Sequence, residues 1–246
     1  MTESPPPRDR LYAEPRARTP DFTFDRQVAE VFADMIQRSV PGYATVVNMT
    51  GVLAGEYVQA GSTSYDLGCS LGASSLAMQH GIRTPGCRII AVDNSQAMLD
   101  QAALRLRRAP GTTPIELRRA DLLDTPIEDA SMVVMNFTLQ FIEPGRRLEL
   151  LRRIRRGLRP GGILVLSEKI AFRNAREEAL QIELHHAFKR ANGYADLEIS
   201  QKRSALENVL TPETLERHHQ RLDEAGFAHT DLWFQCFNFA SLIAAA

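Results

Sequence analysis

Between Thr63 and Lys169 short apolar runs alternate with stretches of helical periodicity, and this alternation constrains the fold more than any other feature of the chain. The apolar runs include CRIIAVD, SMVVMNF and GGILVLSEK, each of strand length and separated from the next by a helix-length segment. Strands joined by helical crossovers form a parallel sheet with helices on both faces. Ligands of such sheets bind outside the carboxyl ends of the strands, so the sequence predicts a site there.

The segments on either side of this alternation complete the predicted architecture. Residues 1–21 are rich in Pro and Arg and lack an apolar period, which predicts a flexible tail ahead of a single domain over residues 22–246. Two helices are predicted next, one with an apolar face from Phe24 to Ile36 and one over residues 45–59. The alternation stops at Lys169, and residues from about 170 to 210 are interpreted as an insertion over the site. A pair of closing strands is predicted near the C-terminus.

Charge, cysteine content and hydropathy argue against several classes of protein. Lys and Arg total 29 against 30 Asp and Glu, a formal net charge of -1, which disfavours a surface that grips a phosphate backbone. Cys69, Cys87 and Cys236 include no CxxC pair and have no His at metal-ligand spacing, so no metal is expected. The sequence shows no signal peptide and no apolar run of about 18 residues. We expect a cytoplasmic protein with neither a membrane partner nor direct nucleic-acid binding.

The stretch SYDLGCSLGAS, Ser64 to Ser74, has the pattern of a nucleotide-binding turn. Gly68 and Gly72 are present, but Ser70 and Ala73 replace the other glycines of a dinucleotide fingerprint, and no P-loop Gly-Lys-Ser/Thr follows. The remaining pattern, D-x-G-x-S-x-G, resembles the first motif of class I S-adenosylmethionine-dependent methyltransferases, with Ser70 in place of the usual middle glycine. An adenosyl sulfonium has no phosphate, so a hydroxyl in the turn is tolerated.

Polar side chains follow the next strands in order. Asp93 ends the second strand 25 residues after Gly68, where its carboxylate can accept two hydrogen bonds from ribose hydroxyls. Asp121 follows the third strand and can accept from an adenine amino group, and Asn136 ends the fourth strand at the mouth of the site. Each Asp alone is equally well explained as a helix N-cap. The ordered series of strand ends favours a ligand site.

A closer resemblance extends over nearly all of residues 22–243. The segments YDLGCSLGAS, VDNSQAML, ASMVVMNFTLQFIEP, FKRANGY, LEISQKRSALENVL and LWFQCFNF resemble those of the carboxy-S-adenosyl-L-methionine synthase family. The resemblance implies a class I methyltransferase fold, Rossmann-like α/β. Its mostly parallel, seven-stranded sheet has helices on both faces, an N-terminal helical cap and an insertion after the fifth strand.

The resemblance also implies an activity. S-adenosylmethionine is a substrate whose methyl group is carboxylated, prephenate supplies the carbon dioxide, and phenylpyruvate is left. The hydroxide that prephenate expels as it aromatises can act as the base that removes a methyl proton. The product then passes to a separate tRNA carboxymethyltransferase that modifies the wobble uridine. A homodimer is implied as well.

The family's cofactor-contacting positions are matched residue by residue. They fall on Tyr43, Gly68, Cys69, Ser70, Asp93, Asn94, Asp121, Leu122, Asn136 and Arg203. Arg203 in SQKRS matches the arginine that pairs with the product's carboxylate, and it is the one residue assigned to catalysis. A guanidinium suits that role because it forms two parallel bonds to a carboxylate. Cys69 is expected in the turn for its size and backbone and not as a nucleophile.

Further basic residues belong to the insertion. Lys189, Arg190 and Lys202 are candidates for binding the dianionic prephenate, with a solvated helix face as the alternative for the first two. His185 and His186 are adjacent and therefore point about 100° apart on a helix, so at most one is expected to face the cleft. A solvated or core-edge role is the alternative to catalysis for that histidine.

Two other functions remain open. An ordinary methyltransferase acting on a small molecule or tRNA would use the same turn and would need an acceptor pocket with a general base. A non-catalytic adenosyl-binding module that regulates a partner would favour an exposed apolar insertion, whereas YADLEISQKRS is polar. Methyl transfer releases S-adenosylhomocysteine and carboxylation does not, so product analysis separates the first alternative from the implied reaction.

Overall fold

The centre of the protein is a sheet whose first five strands are parallel, as described by a computed structural model for residues 7–246. In spatial order these strands are β3 (Ile115–Arg119), β2 (Arg88–Asp93), β1 (Thr63–Leu67), β4 (Ala130–Asn136) and β5 (Leu158–Ala171). An antiparallel hairpin of β7 (His229–Cys236) and β8 (Phe239–Ala245) continues the sheet through β8. The two-residue β6 (Glu213–Thr214) pairs with the end of β5. The predicted class I methyltransferase sheet is confirmed, with β6 added.

Helices cover both faces of this sheet. They are α1 (Arg26–Ser39), α2 (Tyr43–Tyr57), α3 (Ala73–Gly81), α4 (Gln96–Arg108), α5 (Pro144–Gly157), α6 (Ala175–Ala191), α7 (Asp196–Leu206) and α8 (Leu215–Ala225). The α1 helix begins where the sequence predicts, because the Asp25 side chain caps it by accepting from the Val28 backbone N–H at 2.9 Å. The insertion after β5 consists of α6 and α7.

The central strands are buried on both faces, which explains their continuous apolar sequences. All five residues of β1 are buried, and so are the first six of β4. Leu67 and Met135 belong to the core cluster on one face, whereas Ile89 and Met132 belong to the cluster on the other. The sheet is therefore a rigid platform whose carboxyl ends present the polar residues.

Residues 7–21 correct the expectation of a flexible tail, while residues 1–6 lie outside the described residues. Asp9 and Tyr12 are buried, and the Tyr194 hydroxyl donates to Asp9 Oδ2 at 2.5 Å. The Gln201 amide donates to the carbonyl oxygens of Tyr12 and Glu14, each at 2.9 Å. The segment has no apolar period from which this packing could be predicted, because side chains of both α1 and α7, including Asp34, Arg38 and Gln201, satisfy its irregular backbone.

Two structural findings concern membranes and metals. Within residues 7–246 no helix is both long and apolar enough to cross a bilayer. The same residues contain no cluster of three or more His, Cys, Asp or Glu side chains arranged to hold a metal ion.

Candidate active site

A cavity of about 730 Å³ opens at the carboxyl edge of the sheet, under α1, α6 and α7. Parallel strands bring their carboxyl ends to the same edge, so side chains distant in sequence meet there. The cavity is lined by every predicted site residue, namely Tyr43, Gly68, Cys69, Ser70, Asp93, Asn94, Asp121, Leu122, Asn136 and Arg203.

The turn after β1 is shaped by residues with positive φ. Gly68 has φ +80°, and a Cβ at this position would collide with the Thr138 side chain, so the backbone itself forms the cavity wall. Ser70 has φ +50°, which is disfavoured for a residue with a side chain. Its backbone N–H donates to Asp93 Oδ2 at 2.8 Å, and this bond holds the turn against the end of β2. The backbone of the turn therefore forms a concave surface against which a ligand can bind.

Asp93 is held in a defined orientation. Its Oδ1 accepts from the Ser95 backbone N–H at 2.9 Å while its Oδ2 accepts from Ser70. Each carboxylate oxygen keeps a further lone pair, so two ligand hydroxyls can still donate to it. Burial raises the pKa of Asp93, and the backbone hydrogen bonds from Ser95 and Ser70 oppose that rise. This arrangement fits a vicinal diol such as that of ribose.

The loop after β3 forms the rim of the cavity next to Asp93. Asp121 is exposed at this rim, and its Oδ1 accepts from the Leu123 backbone N–H at 2.8 Å. Leu122 is buried and gives the cavity an apolar wall. Asn94 is exposed beside them. An apolar wall next to a carboxylate suits a flat heteroaromatic base with an exocyclic amino group.

Asn136 and Tyr43 also line the cavity, and the surroundings of each side chain determine which hydrogen bonds it can form. The Asn136 amide donates to Ser74 Oγ at 3.0 Å, and its Oδ1 accepts from Ser167 Oγ at 2.6 Å. Burial raises the pKa of Tyr43 to about 12, and the charge of Asp66 adds to the rise. Tyr43 is therefore protonated at neutral pH and offers a donor to a ligand.

Cys69 has the environment of a structural thiol. Its side chain is buried, and burial together with the negative charges of Asp66 and Asp93 raises the pKa of the thiol well above its usual range. Because the thiolate is the nucleophilic form, this environment favours the expected structural role.

Arg203 lies on α7 at the mouth of the cavity and is exposed. Within the described chain its guanidinium forms no ion pair, so neither Glu198 nor Glu207 neutralises it. Glu198 instead accepts from the Ala195 backbone N–H at 2.8 Å. Burial lowers the pKa of Lys169, which also lines the cavity; the charge of Glu178 opposes this shift, and the charge of Arg203 adds to it.

The other basic candidates divide into two groups. Lys189 and Lys202 line the cavity, whereas Arg190 faces solvent and pairs with Glu183 at 2.5 Å, the alternative considered for it. Lys169 also lines the cavity and was not predicted. Its position in GGILVLSEK, near the carboxyl end of a buried parallel strand, is the signal that could have identified it.

Both His185 and His186 line the cavity, which corrects the expectation that at most one would. Positions 182, 185, 186 and 189 form one face of α6, and this face lines the cavity. The adjacent positions 185 and 186 lie on either side of the middle of that face, so both side chains reach the cavity. His185 Nε2 lies 2.8 Å from the Ser39 carbonyl oxygen and therefore donates to it. Burial and the charge of Lys189 lower the pKa of His185 far below neutrality, so the ring is uncharged.

Comparisons with known proteins agree on the fold and on a family. A family model described as "Methyltransferase domain" matches residues 65–162. The carboxy-S-adenosyl-L-methionine synthase of Geobacter metallireducens is 60% identical over 96% of this chain and 97% of its own length. The synthase of the same name from Yersinia pestis is 56% identical over 97% of this chain and 90% of its own.

A solved structure at lower identity supports the fold alone. Human N-acetylserotonin methyltransferase in complex with SAM aligns with a TM-score of 0.61 and 18% identity, covering 89% of this chain and 55% of that one. The chain therefore spans about half of that methyltransferase, whereas it spans nearly all of the two synthases.

Proposed function

The chain belongs to the carboxy-S-adenosyl-L-methionine synthase family and is an enzyme of the class I methyltransferase fold. From this premise we propose that it converts S-adenosylmethionine and prephenate into carboxy-S-adenosylmethionine and phenylpyruvate. The observation that carries the proposal is the separation of negatively and positively charged side chains within a single cavity. One end presents Asp93 and Asp121 to an adenosyl group, and the other presents Arg203 with three lysines to an anionic co-substrate.

The adenosyl end fits S-adenosylmethionine as a substrate. The Gly68 backbone leaves room for close approach, Asp93 accepts from the ribose hydroxyls, and Asp121 accepts from the adenine amino group. The Ser70 hydroxyl is compatible because the sulfonium substrate carries no pyrophosphate. The substrate methyl group then points along the cavity toward the basic end.

The proposed reaction balances without a protein base. Prephenate loses one carboxylate as carbon dioxide and its ring hydroxyl as hydroxide, and the electron pair of the broken C–C bond aromatises the ring. The hydroxide takes one proton from the methyl group of the sulfonium, giving water and a carbanion beside the positive sulfur. The carbanion attacks carbon dioxide and forms the new carboxylate. This route suits a cavity in which His185 already donates to Ser39 and is uncharged.

Arg203 is assigned to the new carboxylate. Its exposed guanidinium has no protein carboxylate as a partner within the described chain, so a ligand carboxylate at the cavity mouth would meet no competitor. A methyltransferase that binds a neutral methyl group and a neutral acceptor has no need of such a cation. The product, once released, is proposed to serve the tRNA carboxymethyltransferase that modifies wobble uridine, and the enzyme to act in the cytoplasm as a homodimer.

Product analysis tests the reaction. Purified protein is incubated with S-adenosylmethionine and prephenate, and the adenosyl products are identified by mass spectrometry. We expect a product heavier than S-adenosylmethionine by one carbon dioxide, together with phenylpyruvate. Formation of S-adenosylhomocysteine instead would support an ordinary methyltransferase, and binding without turnover would support a regulatory module.

Arg203→Met tests the assignment of the new carboxylate. We expect affinity for carboxy-S-adenosylmethionine to fall by roughly 5- to 70-fold, because a bidentate charged pair at a partly open site contributes about 1–2.5 kcal/mol. Affinity for S-adenosylmethionine, which has only a methyl group there, should change little. Calorimetry measures both, and Arg176→Met, exposed on α6 outside the cavity, is the matched control. Equal losses for the two ligands would remove Arg203 from this role.

A further inference from the structure

Positive charge is concentrated at the end of the cavity farthest from the adenosyl-binding aspartates. Lys169 lies on β5, Lys189 on α6 and Lys202 on α7, and all three line the cavity. In the sheet β5 is three strands away from β2, where Asp93 lies, a separation of about 14 Å at the usual strand spacing. The aspartates are too distant to neutralise the lysines.

Lys189 and Lys202 are buried and Lys169 is half-buried, and neither Lys169 nor Lys189 has a hydrogen-bond or ion-pair partner in the described chain. Lys189 is only 7% exposed, and within residues 7–246 its ammonium makes no hydrogen bond or ion pair. Lys169 likewise lacks a hydrogen bond or ion pair from its ammonium in the part of the chain that the structure describes. Lys202 donates to Ser39 Oγ at 3.2 Å and lies 3.9 Å from Asp9 Oδ2. A charge removed from bulk water without a counter-ion is unfavourable, and the unpaired ammonium of Lys189 faces the cavity, so an anion bound there would offset its charge.

We propose that Lys189, flanked by Lys169 and Lys202, binds the carboxylate of the second substrate that remains in the keto-acid product. The inference rests on the proposed function for the identity of that substrate and deepens it by assigning residues to one of its two carboxylates. The occupant is thus the 2-oxo-carboxylate group that prephenate and phenylpyruvate share.

The chemistry of the reaction favours the retained carboxylate, and not the departing one, as the group that Lys189 binds. A cation paired with the departing carboxylate would stabilise the ground state, because that charge is lost when carbon dioxide forms. The retained carboxylate keeps its charge throughout, so binding it anchors the substrate without raising the barrier. Arg203, at the mouth and on the same helix as Lys202, then serves the carboxylate that forms on the sulfonium side.

Protonation of Lys189 responds to its neighbours. Burial, and then the charges of Lys202 and Lys169, lower its pKa to about 7. The charged and titratable groups around this end of the cavity are Lys169 on β5, Glu178, His185 and His186 on α6, Lys202 and Arg203 on α7 with Glu207 at its end, Asp34 and Arg38 on α1, and Asp9 of the N-terminal segment. A bound carboxylate favours the ammonium and raises its pKa. Binding near pH 7 to 8 should therefore take up a proton, and affinity should fall as pH rises above about 7.

Phenylpyruvate is the probe for this site, because it carries only the retained carboxylate. Its Kd is measured by calorimetry on the enzyme saturated with S-adenosylmethionine, and the KM for prephenate is measured on the same proteins. Lys189→Met should raise both constants by the same factor, roughly 10- to 100-fold, and the Kd for S-adenosylmethionine should change less than about twofold. Arg190→Met, one position along α6 and outside the cavity, should change none of them.

Two further readouts separate anion binding from a structural role. Repeating the phenylpyruvate titration in buffers of different ionisation enthalpy should show proton uptake by wild type and less by Lys189→Met. Arg203→Met should raise the phenylpyruvate Kd by less than Lys189→Met does. If Lys189→Met fails to fold, Lys169→Met carries the same comparison.

Failure of this inference is distinguishable from failure of the proposed function. If wild type forms the carboxylated product but Lys189→Met and Lys169→Met keep wild-type constants for prephenate and phenylpyruvate, the lysine site is wrong and the function stands. If wild type forms no product, the function fails, and direct titration of prephenate and phenylpyruvate still decides the site. Binding that is lost with Lys189 supports it, and no binding to wild type overturns it.

Discussion

Ser70 shows how a single residue can be held in a conformation that its side chain disfavours. Its φ of +50° lies in the left-handed region, and the hydrogen bond from its backbone N–H to Asp93 holds it there. The side-chain hydroxyl has only the Met98 sulfur, 3.7 Å away, as a partner within the described residues. The conformation of the turn therefore depends on the backbone of Ser70 more than on its hydroxyl.

The stability of Ser70 variants should depend on how readily each new residue adopts a positive φ. Ser70→Gly removes the steric strain but makes the unfolded chain more flexible, so we expect stability within about 1 kcal/mol of wild type. Ser70→Val is β-branched and should lose about 1–3 kcal/mol at the same φ. Urea denaturation measures both, and a Ser70→Val protein as stable as Ser70→Gly would contradict the strained turn.

Asp93 has a structural role and a proposed ligand-binding role. Asp93→Ala removes the acceptor for Ser70 and Ser95 as well as for ribose, so the turn should loosen. We expect affinity for S-adenosylmethionine to fall more than about 100-fold and stability to fall by about 1–3 kcal/mol. Sequence reasoning alone predicts loss of binding with the fold unaffected, because the two backbone contacts are not visible in it.

Calorimetry and urea denaturation test Asp93→Ala against Asp100→Ala, an exposed α4 position that accepts only from the Gln96 amide among the described residues. Unchanged affinity for S-adenosylmethionine in Asp93→Ala would remove Asp93 from the site.

At the scale of elements, α7 is positioned by the N-terminal segment, residues 7–22. The Phe22 backbone N–H donates to the Ala205 carbonyl oxygen at 2.8 Å near one end of α7, and Arg16 N donates to Gln201 Oε1 at 2.9 Å in its middle. Near the other end Tyr194 donates to Asp9. Because α7 carries Lys202 and Arg203, this segment helps to position two of the basic groups of the cavity.

Tyr194→Phe tests this support. The variant leaves the buried Asp9 carboxylate without its hydroxyl donor, and we expect a loss of about 1–3 kcal/mol in the free energy of unfolding. Tyr57→Phe is the control, because Tyr57 is exposed and its hydroxyl makes no hydrogen bond within the described residues. Equal stabilities of the two variants in urea denaturation would show that the segment does not depend on this contact.

At the scale of the whole molecule, opposite charges nearly cancel but are separated within the cavity. The formal net charge is -1, and the unpaired basic groups of the site face a cavity of small-molecule size instead of an open surface. Such a distribution suits a small anion better than a polyanion, which needs an extended basic surface.

The protein should therefore not bind tRNA directly. Fluorescence anisotropy with labelled tRNA near physiological ionic strength should show no submicromolar binding. Submicromolar affinity with a steep dependence on salt would contradict the assignment of tRNA to a separate enzyme.

The sequence by itself determined the sheet, the turn and the polar residues that follow the strands. These features are local, because strand periodicity, a glycine-bearing turn and a carboxylate after an apolar run each depend on neighbours along the chain. The carboxyl ends of parallel strands must meet at one edge, so the prediction of parallel strands is enough to place Asp93, Asp121 and Asn136 at the same edge.

Only the tertiary structure decided the packing of residues 7–21, the helical state of α7 and the grouping of Lys169 with Lys189 and Lys202. The sequence LEISQKRSAL has a weak apolar signal because α7 buries Gln201 and Lys202 as well as Ile199 and Ala205, so its buried positions do not form an apolar stripe. The three lysines come from separate elements, and no local pattern reports their approach. Their burial depends on what surrounds each side chain in space, which is a property of the fold as a whole.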